Sequence, residues 1–265
     1  MSDKLKRVIS AAIMIPIVLV LVITGGLVFK IGLTIIMAIA LHEYISAFKN
    51  NTSKAIDFIL FLGYLLNIYV IFGDKRDLIM PVTFLIVLMS MAVPIFSRKY
   101  NIFSSAITIM GYIYVVDFFT MLVLIRGHEN GNWLIWLVFI IAWFCDTSAY
   151  YFGRFLGKRK LCPEVSPKKT IAGSLGGVLG SIVGVIIWGY FVKNVSISWY
   201  QLILLGALGS IAAQLGDLTA SLLKRNVGIK DFGKIMPGHG GILDRFDSIL
   251  FVIPIVYYYI VLFLG

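Results

Sequence analysis

From residue 8 to residue 264 the chain is a near-continuous series of apolar runs, broken at intervals by short polar turns. A helix needs ~20 apolar residues to cross ~30 Å of hydrocarbon, where its backbone N–H and C=O groups must all be satisfied within the segment. Hydropathy resolves the sequence into about nine transmembrane spans, at residues 8–24, 27–46, 55–72, 78–96, 102–125, 132–152, 170–192, 200–223 and 248–264. The expected fold is all-α, a polytopic integral membrane helical bundle without room for a separate soluble domain. A composition 60% apolar and only 14% charged points the same way. Residues 1–26 imitate a signal peptide but carry no clear small-x-small cleavage site, and read as an uncleaved first helix.

A formal net charge of +10 would suit nucleic acid, but its distribution argues for topology instead. With the N-terminus in the cytoplasm, most of the 23 Lys and Arg residues fall on that side. Only Lys30, Lys75, Arg76, Arg126 and Lys193 fall on or towards the other. This is the positive-inside pattern, and an odd number of spans then leaves the C-terminus on the opposite side. The surplus charge meets anionic lipid headgroups; no nucleic acid is expected. Cys145 and Cys162 both face a reducing compartment in this topology, so no disulfide is expected.

Two regions differ in character. Residues 1–130, about five spans, are nearly all apolar helix, with few ionisable groups embedded in them: His42, Glu43 and Asp117. Such groups are costly in a membrane and are functional candidates by default. Glu43 and Asp117 nevertheless read first as helix-packing hydrogen-bonders or interface positions. Residues 131–265, about four spans with two cytoplasmic loops, carry the candidate chemistry.

There Asp146, Tyr150, Gly153 and Gly157 recur at i, i+4, i+7 and i+11, one stripe along a helix. The glycines admit a close neighbour, as small residues do in membrane bundles, and the aspartate points into that contact. The following loop ends in Ser166-Pro167-Lys168-Lys169-Thr170 just before an apolar helix. Two lysines, two hydroxyls and the positive end of a helix favour a phosphate, although the pattern is no Walker loop. Gly173, Gly176, Gly177, Gly180 and Gly184 then let another backbone approach.

Asp217 lies seven residues before Lys224, about 10 Å inside the end of its span at 1.5 Å per residue, on a stripe with Ser221. A deep carboxylate beneath an exposed cation can hold a metal ion under a phosphate. The segment Pro237-Gly238-His239-Gly240-Gly241 cannot form regular helix and can aim several N–H groups at one anion. After it, Asp244 and Asp247 share one helical face at i, i+3. Two carboxylates so close repel unless a divalent cation relieves them, and hard oxygen ligands beside phosphate suit Mg²⁺. No Cys/His set offers a zinc site.

The run Ser221-x2-Lys224-Arg225-x4-Lys230-Asp231-x-Gly233-x3-Pro237-Gly238-His239-Gly240-Gly241-x2-Asp244-Arg245-x-Asp247 resembles the signature of the phosphatidate cytidylyltransferases, the CDP-diacylglycerol synthases. Asp146-x2-Ala149-Tyr150-x2-Gly153-Arg154-x2-Gly157-Lys158 and Ser166-Pro167-Lys168-Lys169-Thr170-x2-Gly173 are similar to further motifs of that family, in the same order. The likeness covers the second half strongly and the first half only as apolar helices. Ala172 departs from it, standing where many members have glutamate.

The resemblance implies attack of phosphatidate on CTP, giving CDP-diacylglycerol and pyrophosphate, with Mg²⁺ and an accompanying monovalent cation such as K⁺. It implies that Asp217, Asp244 and Asp247 hold the metal, with Asp146 or Asp231 as a further ligand or behind one. Lys168, Lys169, Lys224 and Arg225 would share the phosphates, with Ser166, Thr170, Arg245 and the His239-Gly240-Gly241 backbone orienting them. The partners are CTP and a lipid that stays in the bilayer. A homodimer is allowed, although no residue demands it. The alternatives are a CTP-dependent polyprenol kinase, which passes on the γ-phosphate, and a cation transporter using the buried carboxylates as an ion path.

Overall fold

The computed structural model of the protein describes residues 16–49, 52–236 and 240–264. Among these, seven helices are long and apolar enough to cross a membrane, and the chain is an integral, multi-pass membrane protein. The expected span at 8–24 lies largely outside the described residues, of which 16–24 are helical. The expected span at 55–72 is the apolar helix Asp57–Phe72, 16 residues long. At 1.5 Å per residue it covers about 24 Å, short of a full hydrocarbon crossing.

The chain folds into two compact units. The first comprises the described residues up to Leu124 together with Asn226–Arg245; the second comprises Ile125–Arg225 and the chain from Phe246.

In the first unit, α1 (Gly26–Phe48) follows a turn at Gly25 and Gly26, whose positive φ angles of 62° and 52° suit glycine. Then come α2 (Asp57–Phe72), a short 3₁₀ turn at Arg76–Leu78 and α3 (Ile79–Phe96). Next is α4 (Ile102–Gly111), N-capped by Asn101, whose side chain accepts the Ser104 N–H at 2.9 Å. A π-helical stretch, Tyr112–Asp117, joins α4 to α5 (Phe118–Arg126). It buries Tyr112 and Asp117 against α2 and α3. The Thr83 hydroxyl donates to Asp117 Oδ2 at 2.8 Å, and Asn67 Nδ2 donates to the Tyr112 hydroxyl at 2.7 Å. Asp117 thus takes a helix-packing hydrogen bond. The segment 226–245 turns through Gly228 (φ 71°), buries Phe232, and closes a bridge in which Met236 N–H donates to Gly240 O at 2.9 Å.

In the second unit, α6 (Gly131–Leu156) and α7 (Ile171–Phe191) share an extensive interface. The α7 glycines make this possible. A Cβ on Gly173 would lie 2.7 Å from the Ala149 carbonyl, one on Gly177 3.1 Å from Cys145 Sγ, and one on Gly180 inside Ser148. The close approach expected of this glycine stripe is therefore made, with α6 as the neighbour. Two further helices complete the unit: α8 (Trp199–Asn226), and α9 (Leu243–Phe263), which starts in the first unit and continues here from Phe246.

Between α6 and α7 the sequence suggested only a loop, but the chain forms a small antiparallel hairpin, β1 (Lys160–Cys162) with β2 (Ser166–Thr170). Lys160 pairs with Thr170 and Cys162 with Ser166, with a bulge between. Pro163 and Pro167 bar helix here, and two strands this short give too brief an alternation for sequence periodicity to register.

Candidate functional site

Within the second unit α6, β2, α7 and α8 line an open cavity of about 420 Å³, inside the usual range for small-ligand sites of ~300–1,000 Å³. Its wall includes Asp146, Tyr150 and Arg154 from α6, Lys168, Lys169 and Thr170 from β2, Ser174 from α7, and Gln214 and Asp217 from α8. The helical stripe read from Asp146 to Gly153 faces this space. Gly157 ends α6, its N–H returning to Gly153 O at 3.2 Å, and its lack of a side chain leaves room for Thr170.

Thr170 is the N-cap of α7: its hydroxyl oxygen accepts the Gly173 N–H at 3.1 Å. The residue is buried, and its hydroxyl is engaged in starting the helix. Ser166 lies at the other end of β2, opposite Cys162, and does not line the cavity. Lys168 and Lys169 both do. Lys169 Nζ lies 2.6 Å from Asp217 Oδ2, with the two side chains 25% and 34% exposed.

Asp217 has a second carboxylate for company. Gly216 beside it has no Cβ because the Asp247 carbonyl occupies that position, and Phe251 would lie 3.0 Å from such an atom. This contact seats the Asp247–Phe251 turn of α9 on α8. Asp247 is within electrostatic reach of Asp217, Lys224 and Asp146. Its Oδ1 accepts the N–H of Ser248 at 2.8 Å, and the Ser248 hydroxyl donates to Asp146 Oδ2 at 3.2 Å. Three of the expected metal carboxylates, Asp146, Asp217 and Asp247, are therefore neighbours on α6, α8 and α9. Arg225 is exposed in the last turn of α8, where a cation complements the helix dipole.

The remaining expected residues belong to the first unit. Asp244 is 4% exposed, and its Oδ2 accepts two backbone N–H groups, from Phe232 at 2.8 Å and Gly241 at 2.9 Å. The Gly241 N–H, expected to orient a phosphate, thus has a partner inside the chain. Gly240 takes a left-handed φ of 83°, with Asp231 and Asp244 packed against it. Asp231 and Arg245 are exposed, and His239 lies outside the described residues.

Two residues beside the cavity escaped the sequence reading. Gln214, three residues before Asp217, locks α8 to α7: its Nε2 donates to Ser174 O at 3.1 Å and to the Ser210 hydroxyl at 3.3 Å, and the Ser174 hydroxyl donates to its Oε1. A glutamine in an apolar span was the available signal. Ser248, next to Asp247, could not be found from spacing alone. Glu43, read as a helix-packing hydrogen-bonder, is buried in the first unit and makes hydrogen bonds of that kind. Its carboxylate accepts the N–H groups of Ile242 at 3.0 Å and Leu243 at 2.9 Å.

Magnesium takes oxygen ligands and commonly binds through one or two carboxylates plus substrate phosphates. The cavity wall supplies oxygen donors and no thiol or imidazole. Among the described residues no three His, Cys, Asp or Glu side chains form a ready-made metal cage. Asp146 and Asp217 on that wall, with Asp247 within electrostatic reach of both, are oxygen donors of the kind such a cation takes when a phosphate completes its coordination.

Fold and site together define a class: a multi-pass membrane protein with lysines and carboxylates gathered around one anion-sized cavity. Residues 5–263 match the sequence model of the Cytidylyltransferase family. The chain is 34% identical to the phosphatidate cytidylyltransferase of Bacillus subtilis (strain 168) over 269 residues, 99% of this chain and 100% of that one. It is 34% identical over 258 residues to that of Staphylococcus aureus (strain COL), covering 94% and 96%. A phosphatidate cytidylyltransferase from Staphylococcus haemolyticus (strain JCSC1435) is 42% identical over 159 residues, 60% of each chain. The chain belongs to the cytidylyltransferase family.

Proposed function

We propose that the chain is a phosphatidate cytidylyltransferase: it joins CTP and phosphatidate to give CDP-diacylglycerol and pyrophosphate. A phosphatidate oxygen forms a bond to the α-phosphorus of CTP, and the bond from that phosphorus to the bridging oxygen of the β-phosphate breaks. Pyrophosphate leaves with that electron pair. The observation that carries this reading is the cavity lined by Lys168, Lys169 and Asp217, with Lys169 paired to Asp217, in a chain similar along its whole length to proteins of that name.

The difficulty of the reaction is the meeting of two anions, so catalysis is mainly neutralisation and in-line placement. Lys168 and Lys169 hold phosphate oxygens; Lys224 and Arg225 add positive charge at the end of α8. Asp146, Asp217 and Asp247 would hold Mg²⁺, which when bound supplies further charge neutralisation to the phosphates. K⁺ belongs with it as an accompanying ion. The lipid phosphate is already ionised near neutral pH, so no general base is needed. The cavity faces the cytoplasm in this reading, where CTP is found, while phosphatidate arrives from the bilayer.

The test is to incubate the purified protein in lipid with CTP, Mg²⁺ and phosphatidate. Pyrophosphate and a cytidine-containing lipid are expected. CDP together with a phosphorylated polyprenol overturns the reading in favour of a kinase; cation flux in liposomes independent of CTP overturns it in favour of a transporter.

A further inference from the structure

Glu43 lies near the end of α1 and is 3% exposed. Its two oxygens accept the N–H groups of Ile242 and Leu243, at 3.0 and 2.9 Å. These donors stand at the start of α9, where no carbonyl within the helix can reach them. The same carboxylate is pressed against Gly233 and Gly241, and a Cβ on either would run into it. Neither glycine has a positive φ, so backbone conformation does not call for glycine at these places. The space taken by Glu43 does.

Asp244 completes the arrangement by accepting the Phe232 and Gly241 N–H groups. Three successive N–H groups, of Gly241, Ile242 and Leu243, are thus held by two carboxylates of the chain itself. A hydrogen bond to a charged group contributes more than a neutral one, and more again where water is excluded. The start of α9 is fixed by these bonds, and Asp247 lies one helical turn further along.

We propose that Glu43 is a positioning residue for cytidylyl transfer: its carboxylate fixes Gly233, Gly241 and the start of α9, and through that helix the placement of Asp247, while touching neither substrate. The proposal rests on the reading of the reaction given above, and it gives the N-terminal unit a part in that reaction.

Three measurements test it. In Glu43→Gln, which keeps the size but turns an N–H donor towards a backbone N–H, kcat is expected to fall about tenfold or more while KM for CTP stays within about twofold. Amide hydrogen exchange at Ile242 and Leu243 is expected to quicken by at least about tenfold, with that of α7 unchanged. Gly241→Ala alone is expected to lower kcat as Glu43→Gln does. Added to Glu43→Ala, where the space has been vacated, it is expected to cost no more than about twofold further.

Unchanged exchange at Ile242 and Leu243, an unchanged kcat in Glu43→Gln, or fully additive losses from the two alanine substitutions overturn the proposal. If Glu43→Ala does not fold, Glu43→Gln and Gly241→Ala still decide. If the wild-type protein forms no cytidine lipid, the reading of the reaction fails by itself, whereas exchange and a thermal-unfolding version of the double-mutant cycle still report whether Glu43 holds Gly241 and the start of α9.

Discussion

Lys169 Nζ stands 2.6 Å from Asp217 Oδ2, tying the strand before α7 to the interior of α8. Both side chains keep a quarter to a third of their exposure, so the pair belongs with partly solvated ion pairs, which contribute little to stability. Lys169→Met is therefore expected to move the unfolding midpoint by less than the equivalent of ~1 kcal/mol while lowering cytidylyl transfer by about 100-fold or more, because a group that meets the phosphates is lost. Thermal unfolding in detergent and the product assay separate the two effects. A large stability loss with activity retained per folded molecule would remove Lys169 from the site.

Asp217→Asn keeps the size of the side chain and a hydrogen-bond acceptor for Lys169. Yield and unfolding temperature are expected to stay near wild type, with turnover down by ~100-fold or more. Near-normal turnover at saturating Mg²⁺ would exclude Asp217 as a ligand.

Asp117 behaves differently, because it is buried beside Thr83 and Tyr112 in the other unit. Removing its charge is expected to be neutral or mildly stabilising, since a buried ionisable group without a cationic partner is costly and asparagine retains an acceptor for Thr83. Asp117→Asn should keep transfer activity within about twofold of wild type, as read by the product assay. A 100-fold loss would assign it a part in the chemistry.

The glycines of α7 serve contact with α6. Gly173→Ala puts a methyl group 2.7 Å from the Ala149 carbonyl and is expected to cost about 1–3 kcal/mol by overpacking. Thr170→Ala, which removes the cap of the same helix, is expected to cost ~1 kcal/mol. Chemical or thermal unfolding of the two variants reads both effects.

The helices were legible because hydrocarbon imposes length and composition on anything that crosses it; the boundaries of α6 to α8 fall close to the apolar runs. The stripe of Asp146, Tyr150 and Gly153 could be read from helical spacing, and so could Asp217 above Lys224. The hairpin at Lys160–Thr170 could not, since two very short strands leave no period to detect. The work of Asp244 was also hidden. Its spacing from Asp247 suggested a shared metal, whereas its hydrogen bonds go to Phe232 and Gly241, and loop conformation decides that. Glu43 shows the limit most plainly: nothing local to it in the sequence names partners 199 and 200 residues away.

That separation also orders the assembly of the protein. Chains emerge from the ribosome N-terminus first, so α1 is made long before the two N–H groups that its carboxylate will hold. Until residue 243 has been synthesised, Glu43 lacks the donors that make its burial tolerable. The first unit is completed only once the start of α9 has been made, and a nascent chain stopped before that point carries an uncompensated carboxylate in α1, a mark by which unfinished copies differ from finished ones.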